Sequence, residues 1–362
     1  MKNSLNMKEE IVNINIEKLG YIPALDGLRA IAVFLVMLLH AHFQFGNGGS
    51  LGVDIFFALS GFLITTLLLE EYYNNGRISL IGFYLRRTFR LFPALYLMLL
   101  IILLYTIFFA QSFTYDVIIN EIFASAIYMY NISYLWECKS LILVHTWSLA
   151  VEEQFYFIWP FTLVIVLRYF TINKLFYGLL FFIVVIWFVK LLKINPILNA
   201  LVFESLFIGC LFALLRWKIE TFRISNFITN SAFLLLVIVG IFPLSIPVTL
   251  FNNDFRGIFG IISAFLILGL VQNKDSILST ILGSRIFVYF GKISYALYLW
   301  HLPVFRWFVW HSTLPPHIKF ILKFIVTLIL AIVSLELIEK KSMKIGRKLS
   351  DRYTKNELKI EN

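Results

Sequence analysis

Residues 24–43 read ALDGLRAIAVFLVMLLHAHF, and ten consecutive apolar residues separate Arg29 from His40. With its flanks this run has the length of a bilayer-crossing helix, about 20 residues. Ionisable groups are costly in lipid, so a spanning helix keeps them where they meet protein, water or a ligand. Eleven steps of about 100° bring Arg29 and His40 within about 20° of one helical face, roughly 16 Å apart along the axis. The stretch predicts a membrane helix with a cation at its start and an imidazole beyond its middle, both on one side.

The remainder of the 362 residues agrees with this. Hydrophobic residues make up 60% and charged residues 14%, against about half and about a quarter in soluble domains, and mean hydropathy is +0.85. The excess runs along the whole chain, which predicts an all-α, polytopic integral membrane protein, since helices satisfy their own backbone in lipid. About ten spans are expected, near 28–45, 52–70, 91–110, 147–167, 174–194, 199–215, 229–248, 257–272, 286–310 and 319–338. With the N-terminus cytosolic, only Lys139, Lys190, Lys193, Arg256, Arg306, Lys319 and Lys323 of the 31 Lys and Arg fall outside, so both termini are expected in the cytosol. The segment YDVIINEIFASAIYMYNISYLW (115–136) would reverse every later loop if it crossed. Its Asp116, Asn120 and Glu121 suit an interfacial or re-entrant outer-face element instead.

The expected organisation is a cytosolic segment over 1–23, a membrane domain over 24–338 and a solvated basic tail over 339–362. Residues 1–23 lack an apolar core and a small-residue cleavage site, so the first span is expected to direct insertion. The net charge of +10 has no soluble basic domain to hold nucleic acid; it suits loops facing anionic lipid or an anionic ligand. Cys138 and Cys210 have neither metal-site nor redox spacing and are read as packing residues; no metal site is expected. Abundant Ile, Lys, Asn and Phe point to an AT-rich bacterial genome, hence a bacterial cell membrane.

Several motifs carry candidate chemistry. His40 lies at a depth where a histidine usually lines a bundle interior or a wet cavity, whereas His42 fits the outer interface. In GVDIFFALSGFLIT (52–65), Asp54 opens a helix as a first-turn carboxylate or faces His40, and Ser60–Gly61 form a notch for close helix approach. FYLRRTFRLFP (83–93) sets Arg86, Arg87 and Arg90 ahead of the third span; besides anchoring topology, arginines suit forked recognition of phosphate. In HTWSLAVEEQFYFIWP (145–160), His145 and Trp147 fit an outer interface, while Glu152 and Glu153 must be paired, protonated or hydrated at their depth. Ser148 shares a face with Glu152, and such a carboxylate is suited to orienting His40 as a base. GKISYALYLWHLPVF (291–305) adds Tyr295, Tyr298, Trp300 and His301, either packing or lining the same cavity.

These five stretches, in this order, resemble the acyltransferase family 3 membrane proteins, which include the O-antigen and other surface-polysaccharide acetylases. The resemblance runs from Leu25 to about Pro303. It implies ten spans with both ends inside, and transfer of an acyl group, usually acetyl, from cytosolic acetyl-CoA or another acyl-CoA to a hydroxyl of a glycan, a lipid-linked saccharide or a similar acceptor. The family's arginine–ten residues–histidine signature falls on Arg29 and His40, its arginine pair on Arg87 and Arg90, and its Ser-Leu-x-x-Glu stretch on Ser148, Leu149 and Glu152. The implied roles are proton transfer at His40 with Glu152 or Asp54 orienting it, donor phosphate binding by Arg29, Arg87 and Arg90, and acceptor binding by Ser148, Tyr298 and His301. Several members carry a further extracytoplasmic, hydrolase-like domain, so transfer here is expected to finish in the membrane body or through a separate extracytoplasmic partner. Two rival readings stay open at this point: a transporter of glycan or an acyl-carrying substrate, and a non-catalytic membrane partner.

Overall fold

A computed structural model describes residues 18–41, 46–109, 112–132, 138, 142–192, 203–218, 222–242 and 256–360. Among the described residues every regular element is helical and no strand occurs. In chain order these are α1 (Pro23–His40), α2 (Leu51–Asn75), α3 (Leu80–Phe109), α4 (Ser112–Ala126), α5 (Thr146–Tyr169), α6 (Ile172–Leu191), α7 (Glu204–Lys218) and α8 (Asn226–Ile241). They continue as α9 (Arg256–Gln272), α10 (Ile277–Leu282), α11 (Arg285–Lys292), α12 (Ser294–His311), α13 (Pro316–Ser334), a π-helical turn (Leu335–Glu339) and α14 (Lys340–Ile360).

Among the described residues six helices are long and apolar enough to cross a membrane: α1, α2, α3, α5, α6 and the continuous rod 316–354. α8 and α9 are shorter apolar helices over the seventh and eighth expected spans. The expected span 286–310 is instead broken into α11 and α12 at Ile293, whose backbone sits at φ −94°, ψ 3°. The contact at Gly291 accounts for the position of the break. A Cβ there would lie 1.9 Å from the Asp26 carbonyl oxygen, so α11 passes directly over the backbone of α1. Of the segment 115–136, residues 115–126 lie in the 15-residue α4, about 22 Å long and shorter than the hydrocarbon layer of about 30 Å, and 133–136 lie outside the described residues.

The chain divides into two compact units, residues 1–78 with 159–292 and residues 79–158 with 293–362. In the first, Leu28, Ala32 and Leu35 of α1 pack in one core with Ala58, Phe62, Ile208, Phe212 and Leu268. The notch expected at Ser60–Gly61 is where α7 approaches: a Cβ on Gly61 would lie 1.9 Å from Leu206 O, and one on Gly209 2.2 Å from Ala58 O. Small residues facing each other in this way let two membrane helices touch backbone to backbone. α2 ends at Gly76 in the left-handed conformation, φ 70°, a conformation in which a side chain would be strained.

The second unit corrects the reading of 339–362 as a solvated tail. α14 is a helix, and Ser342, Gly346 and Ser350, spaced four apart, are buried along one stripe. The stripe lies on α3: a Cβ on Gly346 would meet Phe89 Cβ at 2.5 Å, and Arg86 donates to Ser350 Oγ at 2.6 Å. Lys341, Lys344, Lys348 and Arg352 occupy the exposed side, which is the pattern of an amphipathic packed helix.

Candidate functional site

The first unit contains Arg29 and His40. Both are half-buried, and Val33 and Val36, on the same helical face between them, are 0% and 1% exposed. That strip is therefore packed against protein. Arg29 donates to Asp26 Oδ1 at 3.1 Å, and Asp26 Oδ2 accepts the Tyr21 hydroxyl at 2.8 Å. Asp26 itself is buried, so the guanidinium is held from beneath by one carboxylate. Partial desolvation at the helix entrance, the hydrogen bond to Asp26 and that carboxylate's charge push the Tyr21 phenol up to about 12. It keeps its proton and stays a donor.

At the other end, His40 Nδ1 lies 2.9 Å from Val36 O. A carbonyl oxygen only accepts, so in the neutral ring the hydrogen sits on Nδ1 and the lone pair on Nε2. In that tautomer Nε2 is the basic nitrogen of the ring. His42 lies outside the described residues.

Asp54, expected as a first-turn carboxylate or as facing His40, lies in the first turn of its helix. Asp54 is fully buried and accepts from Arg256 Nε at 3.2 and 3.3 Å and from Ser205 Oγ at 2.9 Å. An unpaired carboxylate at that depth would be expensive, and Arg256, at the start of α9, supplies the opposite charge. Lys190 and Glu204 form a second buried ion pair close enough to act on Asp54 electrostatically. Asp54 therefore belongs to an internal charge cluster that braces α2, α6, α7 and α9.

In the second unit, α3 carries Arg86, Arg87 and Arg90 over two turns. Arg87 lies over the Tyr156 ring at 4.8 Å and the Phe83 ring at 5.8 Å, contacts that fix the guanidinium plane while leaving its edge to hydrogen-bond. Arg90 is half-buried and interacts electrostatically with Glu339. Glu152 accepts the Tyr156 hydroxyl at 2.5 Å, so Tyr156 serves both groups with its ring face and its hydroxyl. Glu153 is acted on by the charges of Glu152 and Arg87.

The same unit gathers Ser148, Tyr298 and His301. Ser148 Oγ and Tyr298 Oη are 2.6 Å apart, and Tyr298 also donates to His145 O at 3.0 Å. His301 Nδ1 donates to Tyr298 O at 2.5 Å, which leaves the lone pair of the neutral ring on Nε2. The cluster has a fourth member that sequence reasoning set at an interface. His145 is 2% exposed, donates from Nε2 to Leu299 O at 3.0 Å and packs edge-on against the His301 ring at 5.1 Å.

The entrance to α5 explains the burial of His145. Glu121 of α4, fully buried, accepts from Ile142 N and Leu143 N at 2.9 Å each and from the Tyr130 hydroxyl at 3.1 Å. Ser125 and Thr146 are linked at 2.8 Å. The polar residues of 115–136 thus tie the approach to α5 in place and hold His145 and Ser148 against α12. Among the described residues no group of three or more His, Cys, Asp or Glu is arranged to hold a metal ion.

A sequence profile of a family described as "Acyltransferase domain" matches residues 22–336, a range that includes each of these residues but Tyr21 and Glu339. The chain is 32% identical over 355 residues to "O-acetyltransferase OatA" of Staphylococcus aureus, covering 91% of this chain and 58% of that protein. It is 30% identical over 354 residues to "Peptidoglycan O-acetyltransferase OatA" of Listeria monocytogenes, covering 90% and 56%. The chain thus spans a little over half the length of these curated relatives. No solved structure matches it.

Proposed function

Given that the chain belongs to the acyltransferase domain family, we propose that it is a multi-pass bacterial membrane O-acyltransferase. It moves an acyl group, acetyl in the first instance, from coenzyme A thioester to a hydroxyl of a cell-surface glycan such as peptidoglycan. The observation that carries this reading is the similarity over nine-tenths of the chain to proteins named as O-acetyltransferases, one of them for peptidoglycan.

In the reaction, the acceptor oxygen bonds to the thioester carbonyl carbon and the carbon–sulfur bond breaks. The acceptor's proton passes to His40 Nε2 and from there to the departing sulfur, which leaves as the thiol. The tautomer fixed by Val36 O supports this role. Arg29, Arg87 and Arg90 bind the phosphates of the donor, charge-assisted and directional. Ser148, Tyr298 and His301 form the acceptor-binding group, and His145 is the residue that orients it.

Both termini face the cytosol in this proposal. The buried state of Lys190, Arg256 and Lys323 supports that orientation. These are three of the seven cations that the inside-positive arrangement leaves outside, and each is matched within the protein, by Glu204, by Asp54 and by the face of Phe305. They are not loop charges, so the count that sets topology is more one-sided than the raw sequence suggests. Acetyl-coenzyme A turnover by purified protein, with O-acetylation of the glycan followed by mass spectrometry, tests the reading. Turnover by wild type and its loss in His40→Ala are expected; turnover that survives His40→Ala refutes the assignment of the base, and a wild type that consumes no donor refutes the donor.

A further inference from the structure

The proposed donor arginines stand on the first three turns of α3, and those turns are backed by the end of the chain. α14 follows α3 in the opposite direction. A Cβ on Gly82 would touch both Ser350 Oγ and Thr354 Oγ1, at 3.1 and 3.0 Å, while Gly346 sits on Phe89 and Leu85. Arg86 hydrogen-bonds Ser350 Oγ at 2.6 Å across 264 residues of sequence. Where α14 begins, the backbone makes one π-helical turn over Leu335–Glu339, and Ser334 Oγ donates to Glu339 Oε1 at 3.0 Å. The turn directs Glu339, 4% exposed, into the protein, where its hydrogen-bond partner is Ser334 and the charge of Arg90 acts on it. Isolated π turns inside a helix are uncommon and re-aim the side chains they carry.

We infer that α14 is the support that sets the geometry of the arginine segment, with Glu339 the positioning residue for Arg90 and Ser350 the positioning residue for Arg86. The inference rests on the donor-binding role proposed for Arg87 and Arg90, extends it to Arg86 beside them, and adds the residues that hold the segment. A long arginine side chain loses much rotamer freedom when it grips a phosphate. A buried carboxylate behind one guanidinium and a buried hydroxyl behind another meet that cost before the donor arrives, leaving the outward N–H groups to bind. A backbone-to-ring contact at Gly346 fixes the spacing between the two helices that carry them.

The test is coenzyme A binding to the purified full chain by calorimetry, together with the donor KM and kcat of acetyl transfer. Arg90→Ala, Glu339→Gln and Gly346→Leu are each expected to raise the coenzyme A Kd roughly tenfold, the order seen when the outer partner of a binding group is removed. At saturating donor kcat is expected near the wild-type value for Glu339→Gln and Gly346→Leu, because these residues orient a binding group and do not touch the reacting atoms. Glu339→Asp should regain most of the affinity. Glu336→Gln, which removes an exposed pair with Lys340, should change nothing. Arg90→Ala combined with Glu339→Gln should weaken binding no more than Arg90→Ala alone, because one acts through the other.

If Arg90→Ala weakens binding while Glu339→Gln and Gly346→Leu bind like wild type, the inference is overturned and the donor reading survives. If Arg90→Ala leaves Kd unchanged, the donor role of that arginine falls and takes the inference with it. A loss of kcat with Kd unchanged also overturns it. Should Glu339→Gln and Gly346→Leu fail to fold, Ser350→Ala, a change of one oxygen atom, decides on the same Kd: a rise supports the inference, and an unchanged value removes it.

Discussion

Replacing Asp54 by alanine separates a structural carboxylate from a catalytic one. The Asp54 side chain is 0% exposed and that of Arg256 8%, with 3.2 Å between the charged atoms. At an effective dielectric of about 20, opposite charges at that distance attract by about 5 kcal/mol. Removing one member leaves the other buried and uncompensated, a loss of about 3–5 kcal/mol in comparable pairs. The Ser205 hydroxyl loses its acceptor as well, adding about 1 kcal/mol. Asp54→Ala is therefore expected to destabilise the protein by at least about 3 kcal/mol, a large part of the roughly 5–15 kcal/mol that holds a typical protein folded. The double variant Asp54→Asn with Arg256→Gln removes both charges and keeps hydrogen-bonding shape, so it should regain most of that loss. Unfolding in mixed micelles, followed by tryptophan fluorescence, measures Asp54→Ala and the four corners of the cycle (wild type, Asp54→Asn, Arg256→Gln and the double variant), and acetyl transfer is assayed on the same samples. An Asp54→Ala loss below about 1 kcal/mol, or a coupling below about 0.5 kcal/mol, refutes the ion-pair account. A double variant that is stable yet inactive refutes it differently, by showing that Asp54 acts in the chemistry.

Four further outcomes are expected. His40→Ala should lower kcat by about 10²–10⁴ with little change in coenzyme A affinity, read by single-turnover kinetics and calorimetry; a change in affinity alone would remove His40 from proton transfer. Tyr298→Phe leaves Ser148 Oγ and His145 O without their shared hydroxyl in a buried site, which should cost about 1–3 kcal/mol of stability and raise the acceptor KM before the donor KM. Gly61→Leu cannot fit where a Cβ would already lie 1.9 Å from Leu206 O; loss of the folded, monodisperse protein on size exclusion is expected, and an active Gly61→Leu protein would contradict the helix contact. Tyr21→Phe removes the hydroxyl beneath Asp26. With the phenol raised to about 12, its stabilisation is fully present below about pH 10 and is lost only as pH rises through about 12. The effect of Tyr21→Phe on coenzyme A Kd should accordingly be the same at about pH 6.5 and about pH 9, and a strong change between them would show a different group controlling Arg29.

What was legible in the sequence follows from what each signal measures. Hydropathy integrates over a helix, so α1, α2, α3, α5 and α6 were visible, and so was the notch at Ser60–Gly61. The break at Ile293 was not, because Gly291 and Ile293 leave the hydropathy of 286–310 almost unchanged; the reason for the break lies in a carbonyl of α1, 265 positions earlier in the chain. Charge is a similarly local signal. It marked Arg29, Arg87 and Arg90 as candidates, and the resemblance named Ser148, Tyr298 and His301 together, yet neither could say which charge answers which. Asp54 was read as a first-turn carboxylate or as facing His40, and its partner Arg256, 202 residues away, was not in view. His145 was read as interfacial because its neighbour Trp147 is, and only Glu121, pinning Ile142 and Leu143, reveals that the chain turns inward there. Asp26 went unread although it stands three residues before Arg29 on the same face.

The tail shows the same limit most plainly. The basic residues of 340–352 read as a solvated run because charge was weighed without period. Counted in fours, Ser342, Gly346 and Ser350 form a small-residue stripe, and a stripe of that kind exists to touch another helix. Lysines and arginines on the far side then say only which side is not the contact. A basic segment after a last apolar span is thus a candidate packing element whenever small residues recur through it at helical spacing. In this chain its partner is the segment that carries Arg86, Arg87 and Arg90, so a reading that trims the tail as solvated would also remove the support of the arginines it had selected.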